Sequence, residues 1–566
     1  MEHQNLDKTI STALMLPKEN GDEKIVIITP PNGVGKILIR EDTVLACAGC
    51  GRGPFNCGGV KKQWSGLCWG KQPEKNYYFL IVLLSVTFVL SVIGTICFCF
   101  TNTINNAILS SMVIRNNSLA YNIWRRPNVQ PLMKVHLFNY TNWEKVKRGE
   151  EKKLHVEEVG PYVYSQQLER VNIHFNGDKL SFQERNRFTY LPNDSHGAHF
   201  DQVLVPNLPL LGLLAMAQNM DYLPRMAIYQ AMMWKWSGID HPDPFVSLPV
   251  HRFLWGYEDS IMNVAKAYLS FKGQLKFDNF GLLVTKNGTV SERFTINTGE
   301  REKEKMNTIE MVDGQDHLSF WGTPECNSIE ASDGSIFPPS QLDRNRTLYV
   351  YFPNLCRRLP FAFEKDVEMS DNIQLMRYRM PLNVFDDPKS NPHNQCYCEI
   401  DTATCPPKGV INVTRCTMGA PAFISFPHFY LGDPILRENF TGLKPDPNKH
   451  DSYLDLHPTL GLALRGKSSF QINVQVRKSN MLSSLDFLQQ GMILPVAWIE
   501  MGVDDLPESL RTLVYHGTYS TAAVQLGLTI ICVLSLIGSG LCLLVLYVRR
   551  KQRPCATLKV KPPRRS

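Results

Sequence analysis

At 566 residues, with 43% hydrophobic and 10% aromatic content, the chain is too apolar for disorder and too polar for a many-span transporter, so most of it must fold as a globular domain. Its formal net charge of +7 is unevenly spread: the first 76 residues carry 10 Lys and Arg against 8 Asp and Glu, the last 18 carry 8 against none, and the stretch between carries 42 against 45. A basic excess confined to a short tail removes the basis for nucleic-acid binding and fits anionic lipid headgroups instead.

Residues 1–76 read as a cytosolic tail without a packed core. Cys47, Cys50, Cys57 and Cys68 lie there among glycines. A zinc knot is one reading, but C-x2-C-x6-C-x10-C is an unfamiliar spacing; disorder, with S-acylation of Cys68 beside the membrane, accounts for the tail better. Residues 77–100 (YYFLIVLLSVTFVLSVIGTICFCF) and 521–548 (TAAVQLGLTIICVLSLIGSGLCLLVLYV) carry no charge. Each is long enough to span a bilayer, which takes about 20 apolar helical residues. The first starts well beyond the roughly 15 to 30 residues of a cleaved signal peptide, so it reads as an uncleaved signal anchor. Lys61, Lys62, Lys71 and Lys75 precede it, and Arg549, Arg550, Lys551 and Arg553 follow the second span, whereas residues 101–114 and 512–520 hold no Lys or Arg. Both tails are therefore expected in the cytosol, with residues 101–520 as an extracellular or lumenal domain.

Seven sequons, at Asn116, Asn139, Asn193, Asn287, Asn345, Asn412 and Asn439, all fall between the spans. They are candidate glycosylation sites and agree with that orientation. The domain reads mostly as short strands punctuated by Gly, Pro, Asn and Asp. In FQINVQV, Phe470, Ile472, Val474 and Val476 alternate with Gln471, Asn473 and Gln475, the pattern of a half-buried strand. Residues 208–236 (LPLLGLLAMAQNMDYLPRMAIYQAMMWKW) read instead as a helical hairpin, with Pro224 in the first turn of the second helix. Met216, Met220, Met226, Met232, Met233, Trp234, Lys235 and Trp236 make it the candidate ligand-binding surface, because methionine adapts to varied apolar partners. Core packing is the better account of any one of these residues taken singly.

Of the 15 cysteines, six lie between the spans: Cys326, Cys356, Cys396, Cys398, Cys405 and Cys416. In an oxidising compartment they predict three disulfides, and spacing alone leaves fifteen connectivities open. Residues 461–468 (GLALRGKS) match the phosphate-loop pattern G-x-x-x-x-G-K-[ST]. That motif needs a helix after it, and here a strand pattern follows, so the match reads as coincidence. Neither H-E-x-x-H nor G-x-S-x-G occurs. No catalytic residue, metal site or cofactor is assigned. Ser535 and Ser539 form a small-xxx-small pair in the second span, weak evidence for self-association. Cys555, just beyond that span, is a further acylation candidate.

The segments EEVGPYVY (157–164), FLWGYEDS (253–260), HLSFWGTPECNSIEASDGSIFPP (317–339), CYCEI (396–400), FISFPHFY (423–430) and HDSYLDLHPTLGLAL (450–464) resemble the class B scavenger receptor family. The similarity runs from the first span to the second. It implies a two-span membrane protein with a mixed, β-rich ectodomain: an antiparallel β-barrel-like core, an internal hydrophobic tunnel and a helical bundle at the apex. It also implies the pairings Cys326–Cys396, Cys356–Cys416 and Cys398–Cys405. The best-known receptors of the family place a pair of lysines near the end of the apical bundle, where this chain has only Lys235, so a strongly cationic apex is not expected.

By that resemblance the chain is expected to be a plasma-membrane receptor for lipids and lipoprotein particles, passing carotenoid, fatty acid or sterol to the membrane without catalysing a reaction. Two other readings stay open: a tethering receptor for apoptotic cells or microbes without lipid transfer, and a lysosomal sorting receptor, which the C-terminal tail disfavours because it lacks an acidic-dileucine signal.

Overall fold

The computed structural model describes residues 26–28, 37–39 and 74–552, leaving out 102, 236–242, 263–278, 370–371, 399–404, 418, 480–482 and 504–505. Two compact units divide the chain, Met1–Asn76 and Tyr77–Ser566. In the first, β1 (Val26–Ile28) pairs antiparallel with β2 (Ile37–Ile39).

The second unit opens with helix α1 (Glu74–Phe100), followed by α2 (Thr103–Met112) and α3 (Leu119–Arg125). The strands run in chain order as β3 (Leu132–Tyr140), β4 (Leu154–Asn176), β5 (Lys179–Tyr190), β6 (Gln202–Pro206), β7 (Phe245–Pro249), β8 (Gly288–Asn297), β9 (Thr308–Val312) and β10 (Ala331–Ser332). Next come β11 (Leu348–Phe352), β12 (Arg357–Met369), β13 (Ile373–Arg379), β14 (Val410–Asn412) and β15 (Ala422–Ser425). The series ends with β16 (Phe440–Thr441), β17 (Tyr453–Leu456), β18 (Ala463–Gln475) and β19 (Ile493–Val503).

One 15-stranded sheet contains all of these from β3 on except β6 and β7, which pair with each other. Its path β18-β17-β13-β12-β11-β10-β9-β8-β5-β4-β3-β19 returns to β18, so twelve strands close into a ring. The expected antiparallel barrel holds with one correction. The β10–β11 junction is parallel, a single pairing of Ser332 with Val350, because β10 is only two residues long and no hairpin joins the two strands.

The strand over FQINVQV is present, and both of its rows are partly buried: Ser469, Gln471 and Asn473 are buried, as are Val474 and Val476, while Phe470 and Ile472 are half-buried. The polar row is accommodated because it is hydrogen-bonded. Gln471 Nε2 donates to Asn473 Oδ1 (2.7 Å), and Asn473 Nδ2 donates to Ser425 Oγ (3.1 Å) on β15. Buried amides with partners cost little, whereas unpaired they cost about 1–3 kcal/mol each.

The phosphate-loop look-alike is part of this strand. Residues 463–475 form β18, Lys467 Nζ reaches the Lys449 carbonyl (2.8 Å), and Ser468 sits opposite Met501 in the ladder. Gly461 has φ +66°, and a Cβ there would stand 1.8 Å from the Phe337 carbonyl oxygen. Its carbonyl accepts the Phe337 N–H (2.8 Å), so the glycine is needed for backbone approach to another segment.

Three disulfides join Cys326 to Cys396, Cys356 to Cys416 and Cys398 to Cys405. Among the described residues two helices are long and apolar enough to cross a membrane, α1 and Thr521–Lys551. They pack on one another: Ser91 Oγ donates to Ser535 Oγ (2.9 Å), Gln525 Nε2 donates to the Phe98 carbonyl (3.2 Å), and a Cβ on Gly94 would meet Cys532 Sγ at 2.7 Å. Ser91 and Ser539 are buried, at 6% and 5% exposure, in an otherwise open helix pair. Ser535 thus serves contact within the chain, as small residues do at membrane helix interfaces.

Two outcomes are expected. Gly461→Ala should destabilise the domain by about 2–4 kcal/mol, read as lost folding yield, since both φ and space forbid the side chain. Gly94→Cys should form an oxidant-induced disulfide with Cys532, detected by peptide mapping as a link between the two spans.

Candidate ligand-binding site

The predicted hairpin is present as α5 (Leu208–Gln218) and α6 (Tyr222–Lys235), residues 219–221 making the turn. Asn207 caps α5 by accepting the Leu210 N–H (3.2 Å), and Pro209 occupies the first turn, where a missing N–H is harmless. This helix is apolar on all sides and is accordingly sunk in the core: Leu210, Leu211 and Leu214 are fully buried. On α6, Ile228 and Tyr229 turn inward while Tyr222 and Leu223 stand in solvent at 64% and 78% exposure.

Of the methionines expected to form the ligand surface, Met216, Met220 and Met226 are half-buried and pack against the core on either side of the hairpin turn. The side chains of Met232, Met233, Trp234 and Lys235, and the whole of Trp236, lie outside the described residues. Open apolar surface is offered instead by Tyr222 and Leu223, with the Arg225 guanidinium 5.9 Å from the Tyr222 ring centre. Their signal was position: they follow the turn and precede Pro224 in the first turn of the second helix, where one side of the helix has no neighbour.

Of the sequon asparagines, Asn116, Asn193, Asn287 and Asn345 are exposed and Asn139, Asn412 and Asn439 are half-buried. Asn139 Oδ1 accepts the Leu204 N–H (2.9 Å), which leaves its amide nitrogen for other partners. Cys68 and Cys555 lie outside the described residues.

Beside the hydrogen-bonded row of β18 runs a cluster that sequence reading did not single out. Glu158 on β4 places Oε1 2.7 Å from His136 Nδ1 and accepts from His428 Nε2 on Oε2 (2.9 Å). The His428 tautomer is fixed because its Nδ1 accepts the Lys444 N–H (3.1 Å), and the His428 N–H donates to Gln471 Oε1 (2.6 Å). The His428 ring stacks on His450 (4.7 Å between centres), and His136 stacks on Trp498 (3.8 Å). Burial pushes the Glu158 carboxyl up, but the two histidines outweigh it and hold the group well below the usual carboxylate range. His450 is pushed down to about 4 by burial and by its neighbour His428. His457, whose Nδ1 accepts the N–H groups of Thr459 and Leu460 and whose Nε2 meets Thr518 Oγ1 (2.8 Å), is pushed down to about 4 by burial. Three segments that carry the family resemblance, 157–164, 423–430 and 450–464, thus meet inside the barrel wall through Glu158, His428 and His450.

A sequence model of the CD36 family matches residues 83–549, most of the chain and all of the closed sheet. The chain belongs to the CD36 family. Its relatives include scavenger receptor class B member 1 of Cricetulus griseus, 28% identical over 82% of this chain and 90% of that protein. Lysosome membrane protein 2 of Rattus norvegicus is 31% identical over 75% of this chain and 84% of the relative. The family's two named branches are thus about equally similar to it.

The histidine geometry carries a pH dependence. His450 and His457 are held neutral in the fold, whereas an unfolded histidine titrates near 6.5. Their contribution to stability is full above about pH 6.5 and is lost as pH falls toward 4; that of Glu158 is lost at still lower pH. The melting temperature should be flat between about pH 7 and 8 and fall below about 6.5. The double variant His450→Gln, His457→Gln should melt lower at neutral pH but with a shallower acid slope, as checked by tryptophan fluorescence.

Proposed function

We propose that the chain is a double-pass cell-surface receptor that binds lipid or lipoprotein particles at the tip of the α5–α6 hairpin and passes the apolar lipid through the barrel to the membrane. The carrying observation is the exposed Tyr222–Leu223 tip on a CD36-family domain rooted between two apolar helices. Tyr222 and Leu223 are adjacent at the hairpin turn and offer a joined apolar contact, for which a lipid particle supplies a partner of the right kind. A twelve-strand ring supports the transfer step, because barrels beyond about eight strands have more interior than their own side chains fill. Carotenoid, fatty acid and sterol are the cargo classes; each is spared water in an apolar passage, at about 25 cal/mol per Å². Both tails lie in the cytosol in this reading, the sequons and disulfides outside it, and the chain performs no reaction.

Cells lacking such receptors, expressing the protein and fed lipoprotein with labelled carotenoid or fatty acid, should take up lipid in excess of whole particles. Burying one large apolar side chain is worth about 1.5–3 kcal/mol, so Leu223→Asp and Tyr222→Asp should each weaken particle binding about tenfold or more with normal surface delivery. Particle binding without lipid transfer would leave a tethering receptor; unchanged binding in both variants would remove the hairpin tip as the contact.

A further inference from the structure

Arg357, the first residue of β12, is 2% exposed and follows Cys356 of the Cys356–Cys416 disulfide. Its guanidinium lies 3.6 Å from the ring centre of Tyr397 and 4.9 Å from that of Trp321, whose indole N–H is fixed on the Cys356 carbonyl (2.7 Å). Two of its donors, Nε and Nη2, are buried without a hydrogen-bond partner. The comparison inside the same chain is Arg170, 3% exposed and likewise packed on two rings, Trp124 and Phe182, but with its charge met by Asp333 at 2.8 Å. Arg357 has the rings and, among the described residues, no carboxylate.

A cavity of about 20 Å³ adjoins Arg357, with Asp386, Asp387 and Tyr397 in its wall. Both carboxylates are committed elsewhere: Asp386 pairs with Lys408 Nζ (2.9 Å), and Asp387 Oδ1 accepts the N–H groups of Lys389 and Ser390 (both 3.0 Å). Burial pushes the guanidinium down to about 10, which still leaves it charged at neutral pH. Ring contacts of this kind return less than burying an unpaired ion costs. We propose that this cavity, between Arg357 and the disulfide-rich segment, is a binding site for a small monovalent anion, chloride in the protein's own surroundings. The forked donors suit an anion, and a space barely larger than a water excludes carboxylate and phosphate groups.

The test compares full-length protein purified in detergent in sodium chloride, bromide and gluconate at equal ionic strength. Chloride and bromide should raise the melting temperature by about 2 °C or more over gluconate. Arg357→Lys, which keeps the charge but loses the fork, should lose most of that increment. Since this variant can fold poorly, native protein crystallised in bromide gives a second readout, an anomalous peak within about 3.5 Å of Nε and Nη2. Equal melting temperatures in the three salts, an increment kept by Arg357→Lys, or bromide found only elsewhere would overturn the assignment.

Discussion

Everything in the larger unit depends on where β19 pairs. It is hydrogen-bonded to β18 along one edge and to β3, the first strand of the domain, along the other, with Gly502 opposite Leu132. Without those two ladders the sheet would present a pair of open edges, each a row of unsatisfied backbone groups. With them, the chain enters and leaves the ring at neighbouring points. The two apolar helices therefore emerge side by side, and the contacts Ser91–Ser535 and Gly94–Cys532 follow from the closure of a sheet far from either residue.

The wall beside that closure is built from polar side chains. Glu158, His428, Gln471, Asn473 and Ser425 form one continuous chain of hydrogen bonds across β4, β15 and β18. Such a network is cooperative when complete and costly when broken, because each freed group is already out of water. That asymmetry makes it a device for choosing one register: a slip by one residue would put Phe470 and Ile472 in place of Gln471 and Asn473, depriving the Ser425 hydroxyl and the His428 backbone N–H of their side-chain partners. Three of the six segments that mark the family in the sequence meet at this wall, through Glu158, through Ser425 and His428, and through His450 stacked on His428, so their residues build the barrel.

What could be read from the sequence was local. Charge-free runs, basic flanks, sequons and the helix-forming stretch at 208–236 each report on their own neighbourhood, and the structure has helices where those signals lie. The disulfide pairs required the family resemblance, since spacing left fifteen choices. Alternation in FQINVQV was correctly a strand but gave no sign that Gln471 and Asn473 are buried, because the partner that satisfies Asn473 is Ser425, 48 residues away in sequence. Three of the candidate ligand-binding residues, Met216, Met220 and Met226, are half-buried for a similar long-range reason. Methionine content marks adaptable surface only where the surface is open, and the core that covers Met216, Met220 and Met226 is assembled from β3, β4 and β6. Closure by β19 and the parallel β10–β11 junction are long-range events with no local sign at all.

The same closure sets a timetable for synthesis. β3 is complete when residue 140 is made, yet the strand that covers its free edge ends at Val503. At ribosomal speeds of about 5–20 residues per second, that edge stays open for between about 20 and 75 s. In the proposed topology the waiting sheet is already across the translocon and held by its first anchor, while the second has yet to be translated. A nascent domain in that condition is a ready partner for any other unpaired strand, so its maturation leans on lumenal chaperones until the last strand arrives, and a chain stopped short of that strand is left with a barrel that has no way to shut.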